Sequence, residues 1–122
     1  MRLGLAVAAA FLAQAVSAQS VKLEPYEVTT LLSGNTAIGQ WDGADYRQYF
    51  AQDGTTIFAQ SGSPHAQGKW RVTAGEYQSR WDGDTDWQGW FVMEYAGQFF
   101  WVSKATPPTP FTVVAGNQLI AQ

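Results

Sequence analysis

Gly68-Lys69-Trp70-Arg71-Val72-Thr73-Ala74-Gly75-Glu76-Tyr77-Gln78-Ser79-Arg80-Trp81 is the stretch that decides the fold class. Gly68, Trp70 and Val72 face one way and Lys69, Arg71 and Thr73 the other, the period of two of a strand with one buried and one wet face. Thr73 to Glu76 then reverses the chain as a tight hairpin, which sets Arg71 opposite Gln78 and Lys69 opposite Arg80 on the outer surface. Trp70 is thus a predicted core residue. The cations Lys69, Arg71 and Arg80 form either an ordinary solvated face or a contact for an anion or a partner protein.

The same grammar extends in both directions. Short aromatic or β-branched runs, each ended by Gly, Asp, Asn or Pro, predict strands over 36–41, 46–51, 55–60, 68–73, 76–81, 90–95, 98–103 and 111–115. The links between them are too short for parallel crossovers, which need about a dozen residues, so the pairing is antiparallel. The runs 90–95 and 98–103 are apolar on both faces, which implies that a helix or a terminus covers the second face. The predicted fold is mainly β: a single antiparallel up-and-down meander of seven or eight strands with one short N-terminal helix. It closes as a small barrel or a flattened sandwich. Pro25, Glu24, Glu27 and Gly34 place that helix over about 25–33, and residues 19–24, which show no period, form a frayed lead-in.

Ahead of this body, Arg2, the apolar run Leu3 to Ala13 and the small-residue pattern Val16-Ser17-Ala18 predict a secretory signal peptide over 1–18. The run is well short of the roughly 20 residues needed to cross a bilayer, so the mature form, 19–122, has no predicted membrane span. The expected location is periplasmic or secreted. The 122-residue chain carries a formal net charge of -3, which excludes nucleic acid as the main partner. With no Cys and only one His, a disulfide framework, a thiolate metal site and a clustered-imidazole zinc centre are excluded.

Leu31-Leu32-Ser33-Gly34-Asn35-Thr36, Tyr49-Phe50 with Asp53-Gly54-Thr55, Gly68-Lys69-Trp70-Arg71-Val72, Tyr77 and Trp81 together resemble a family of small exported bacterial β-rich domains of unknown function. The likeness spans about residues 25–103 and implies export, a short helix and a β-rich body, with no activity attached. Members of that family commonly carry a Cys pair, and the matching positions here are Gln78 and Gly89. Gly39-Gln40-Trp41 and Gly68-Lys69-Trp70 also echo the Gly-x-Trp of lipocalins, a likeness of fold alone.

Strand parity locates the candidate site. Alternate loops of a meander share one end, so 42–45, 61–67, 82–89 and 104–110 form one rim. That rim gathers Asp42, Asp45, Asp82, Asp84, Asp86 and His65, together with Trp41, Trp81 and Trp87. Trp41-Asp42-Gly43 and Trp81-Asp82-Gly83 are near-copies, readable as an internal repeat or as two turns after Trp-ended strands. Loops at the open end of a barrel are usual ligand positions, which makes Trp41, His65, Trp81 and Trp87 candidate ligand contacts. Asp82, Asp84 and Asp86 have the 1, 3, 5 spacing of oxygen-rich loops, although Trp87 and Met93 stand where an EF-hand has Gly and Glu. The plainer reading of these residues is as turn formers, so no cofactor is expected, with weak Ca²⁺ as the alternative. The predicted role is non-catalytic binding or structure, with a small molecule or an envelope protein as partner. The rival is a small hydrolase using rim carboxylates.

Overall fold

The alternation at 68–81 is realised as a hairpin in which Trp70 pairs with Ser79, Arg71 with Gln78 and Lys69 with Arg80. The computed structural model describes residues 19–119, so the predicted signal peptide lies outside the described residues. Its elements are β1 (Val21–Lys22), α1 (Pro25–Leu32), β2 (Asn35–Trp41), β3 (Ala44–Phe50), β4 (Thr55–Gln60), β5 (Ala66–Thr73), β6 (Glu76–Trp81), β7 (Gln88–Tyr95), β8 (Gln98–Val102) and β9 (Thr109–Ala115). Each of β2 to β9 pairs antiparallel with its sequence neighbour. β2 also pairs with β9, from Asn35↔Ala115 to Gly39↔Phe111, and the meander closes into an eight-stranded barrel. The tight links Asp42-Gly43, Ala74-Gly75 and Ala96-Gly97 all have positive φ at both residues, which matches hairpin turns to the right-handed twist of the strands.

Residues 19–24 are not a frayed lead-in. β6 pairs only with the first part of β7, through Tyr77↔Trp90 to Ser79↔Gln88, and β1 takes the edge left beyond it through Val21↔Glu94 and Lys22↔Met93. Leu23 continues the contact by donating its N–H to Val92 O at 2.9 Å, and its side chain is buried.

Nor does α1 cover the outer face of β7 and β8. It lies against β2, β5 and β6 and closes one end of the barrel, where Val28 and Leu32 join Phe50, Trp70, Tyr77, Val92, Trp101 and Phe111 in the core. The outward Phe91, Met93, Phe100 and Val102 are half-buried, with Lys22 Nζ 4.0 Å above the Phe91 ring.

Polar side chains at the ends of the elements hold the joints between them. The Glu27 carboxylate accepts the Glu24 N–H at the start of α1, and at its end Asn35 Nδ2 donates to Leu31 O at 2.9 Å while Asn35 Oδ1 accepts the Gly116 N–H. The fully buried Thr36 hydroxyl donates to Gly116 O at 2.7 Å and accepts the Gln118 N–H, which straps the C-terminal residues over β2. In the β3–β4 turn, the Asp53 carboxylate accepts the Thr55 N–H, and that bond is the main reason its pKa lies below the ordinary value. Gln78 and Gly89 are direct cross-strand partners.

Candidate functional site

Inward parity runs consistently around the barrel, and the two ends of the lumen are filled differently. Toward α1 the inward residues are Phe50, Trp70, Tyr77 and Phe111, which pack solidly. Toward the opposite rim they are Trp41, Tyr46, Phe58, Gln60, Ala66, Trp81, Gln88, Trp90 and Thr109, and between them lies a cavity of about 330 Å³. This is near the lower limit for small-ligand pockets and suits the narrow interior of an eight-stranded barrel.

Small residues in β5 make that arrangement possible. A Cβ on Gly68 would collide with Arg80 O and with Trp81, so the missing side chain gives Trp81 its place. Trp81 reaches over β5 to Phe58 of β4, edge to face at 6.0 Å. Trp41 and Trp90 lie on strands that are not neighbours in the sheet, yet their rings meet edge to face at 5.8 Å and arch across the lumen. Trp41 is 37% exposed at the mouth.

Below this arch the walls carry polar groups without charge. Gln48 Nε2 donates to Thr56 Oγ1 at 3.0 Å and to Tyr77 Oη at 3.1 Å. Trp101 Nε1 donates to Tyr46 Oη at 3.1 Å, and Gln60 Nε2 donates to the Trp41 carbonyl at 2.6 Å. Burial raises the pKa of both phenols, with the Trp101 bond pulling the other way at Tyr46 and the Ser79 and Gln48 bonds at Tyr77. Tyr77 ends well above the phenol range. Among the described residues no Asp, Glu, His, Lys or Arg lines the cavity.

The raised phenols fix the direction of an alkaline effect. Below about pH 10 both hydroxyls are protonated whether the chain is folded or not. Above it the unfolded chain releases protons that the folded barrel keeps, so stability falls as pH rises through and beyond about 10. Urea unfolding at pH 8 and pH 11 should show a steeper alkaline loss for the native chain than for Tyr77→Phe. Equal losses would remove Tyr77 as the cause.

The predicted site residues separate into two groups. Trp41 and Trp81 stand at the mouth and line the cavity. Their near-identical surroundings are two turns after Trp-ended strands, with Asp82-Gly83 closed by the Asp84 N–H bonding Trp81 O at 2.9 Å. Trp87 does not join them: its ring lies on the outer face, 3.8 Å from the Arg71 guanidinium and 4.9 Å from that of Arg80. The long loop folds back because the two cations favour the indole face, and Arg71 is held there by its Nε bond to Gln78 Oε1 at 2.8 Å.

His65 is exposed in the β4–β5 loop and does not line the cavity. Asp82, Asp84 and Asp86 are likewise exposed. Among the described residues no group of three His, Asp or Glu side chains is placed to hold a metal ion, so the spacing of these aspartates produces turns without a preformed calcium cage.

Sequence reasoning misses the lining residues Gln48, Gln60 and Thr109, and Gln88, which lines the cavity from an exposed position. A usable signal is present in β3, where Tyr46, Gln48 and Phe50 share one parity, so an amide falls between two large rings on a core face. Buried amides of this kind call for partners, and a hollow beside them follows.

Among the described residues no helix is long and apolar enough to cross a membrane. In comparisons with known proteins, no family model, no curated protein and no solved structure matches the chain.

Proposed function

We propose that this protein is a non-catalytic binder of a small uncharged ligand, which enters at the rim opposite α1 and rests in the barrel lumen. One observation carries the reading: about 330 Å³ of space, walled by aromatic rings, amides and hydroxyls, remains between a packed core and the Trp41–Trp90 arch. Pockets with apolar walls and a few oriented polar groups are the usual form of a ligand site. The hydrolase alternative loses support because no carboxylate or imidazole of the described residues lines this space, leaving no general acid and base beside a bound substrate. The apolar leader at 3–13 and the likeness to exported domains support a role outside the cytoplasm, with any partner being a small molecule met there.

The test is native mass spectrometry of the exported protein, with Ala66→Phe as the variant that fills the mouth of the lumen. A bound neutral mass on the native chain, absent from an Ala66→Phe protein that melts at a similar temperature, is the expected result. A ligand retained equally by both would place binding elsewhere.

A further inference from the structure

We propose that the lumen selects an uncharged ring compound with apolar faces and a hydrogen-bonding edge, and that the Thr109 hydroxyl reads that edge. The inference rests on the lumen being the binding site and names the class of ligand it takes.

The exclusion of charge comes first. A charged group moved into this space would lose its hydration and meet no opposite charge, because the described lining holds none. A wholly apolar guest fits poorly for the opposite reason. Gln48 has spent both Nε2 hydrogens on Thr56 and Tyr77, and Gln60 one of its two on the Trp41 carbonyl, which leaves each amide a carbonyl oxygen as an acceptor and Gln60 one N–H as a donor. Tyr46 Oη is engaged as an acceptor from Trp101, so its own proton is available as a donor. A hydrocarbon would cover these groups and leave them unsatisfied.

Size and walls narrow the class further. A dry cavity of about 150 Å³ holds one benzene, so about 330 Å³ takes one substituted ring or two fused ones. Phe58, Trp81, Trp41 and Trp90 line the space with aromatic surface, which suits a flat ring or the C–H face of a sugar.

Thr109 supplies the independent observation. Its Oγ1 is the one buried side-chain N or O atom without a hydrogen-bond partner among the described residues, and the residue lines the cavity at the rim end of β9, opposite Trp101. A buried hydroxyl with no partner lowers stability, and it breaks no bond when it turns about χ1 toward a guest. A ligand edge that bonds Oγ1 removes the deficit only in the complex. Two sources share this chemistry, a pyranose and a neutral heteroaromatic ring.

The experiment titrates the protein with adenine and with methyl glucoside, following tryptophan fluorescence and melting temperature. Benzoate serves as the charged ring and toluene as the ring without a polar edge. The native chain is compared with Thr109→Val, Thr109→Ser and Ala66→Phe. Adenine or the glucoside should bind at least tenfold more tightly than benzoate or toluene, and whichever binds identifies the source. Thr109→Val should weaken that binding about tenfold, the worth of one hydrogen bond, and raise the melting temperature of the unliganded protein, while Thr109→Ser retains the affinity.

Toluene bound as tightly as the polar probes and lost in Ala66→Phe would overturn the ligand class and leave the lumen as the site. Binding unchanged in Thr109→Val, or an unliganded Thr109→Val that melts lower, would overturn the role of Thr109. No response to any probe would overturn the class, and the mass-spectrometric comparison with Ala66→Phe would decide the lumen separately.

Discussion

Trp70→Ala is expected to destabilise the barrel by about 3–5 kcal/mol, a large share of the 5–15 kcal/mol typical of a domain. The side chain is 8% exposed and stands edge to face with Phe50 at 5.5 Å, with Tyr77 tilted beside it at 6.4 Å. Its indole Nε1 also donates to Ala51 O at 2.8 Å, so truncation removes a hydrogen bond together with the ring. Trp70→Phe separates the two contributions, since it keeps most of the apolar surface and gives up the bond. On the opposite face, Lys69→Ala should stay within about 0.5 kcal/mol of the native chain. Urea unfolding monitored by circular dichroism measures all three. A Trp70→Ala protein as stable as Lys69→Ala would mean that β5 presents its other face to the core.

That face was legible because neighbours along β5 differ sharply: Trp70 sits between Lys69 and Arg71, and only one parity buries without stranding a charge. The loops were legible for a related reason, since Asp-Gly and Ala-Gly pairs specify tight reversals and the count of reversals fixes which loops share an end. The form of closure was not legible. It depends on β2 finding β9 across about 75 residues of sequence, and either a barrel or a sandwich satisfies the same alternation. β1 was not legible because Val21-Lys22 has no period of its own and is ordered by the part of the β7 edge that β6 leaves unpaired.

The candidate site divides in the same way. Parity brought Trp41 and Trp81 to one rim, but whether an aromatic at the end of a strand turns into the lumen or away from it depends on its neighbours. Trp81 turns inward because Gly68 leaves it room, and Trp87 turns outward because Arg71 and Arg80 offer cations to its face. The aspartates share a spacing alone, and alternate residues of an exposed turn have no reason to converge unless an ion draws them together. The groups that do line the interior are neutral, and neutral side chains leave no trace in a charge pattern.

Leu32→Ala should produce the other large effect, a loss of about 2–5 kcal/mol. Leu32 is 0% exposed at the end of α1, where it meets the core beside Val28. The helix cannot slide to fill the space left behind. Its last turn is closed by the Ser33 N–H on Thr29 O, the Gly34 N–H bonds Phe50 O of β3 at 2.7 Å, and Asn35 Nδ2 of β2 bonds Leu31 O, so the C-terminal end of α1 is fastened to the barrel. Tyr26, on the same helix but 70% exposed, provides the control, and Tyr26→Ala should lie within about 0.5 kcal/mol of the native chain. The contrast bears on the lumen as well as on stability, because α1 is the floor on which Phe50, Trp70 and Tyr77 are packed beneath the cavity. A loosened floor lets those rings move into the vacated space, so affinity for the proposed lumen ligand should fall in Leu32→Ala although the substituted side chain does not line the cavity. Equal stability of Leu32→Ala and Tyr26→Ala would show that the barrel closes its lower end without the helix.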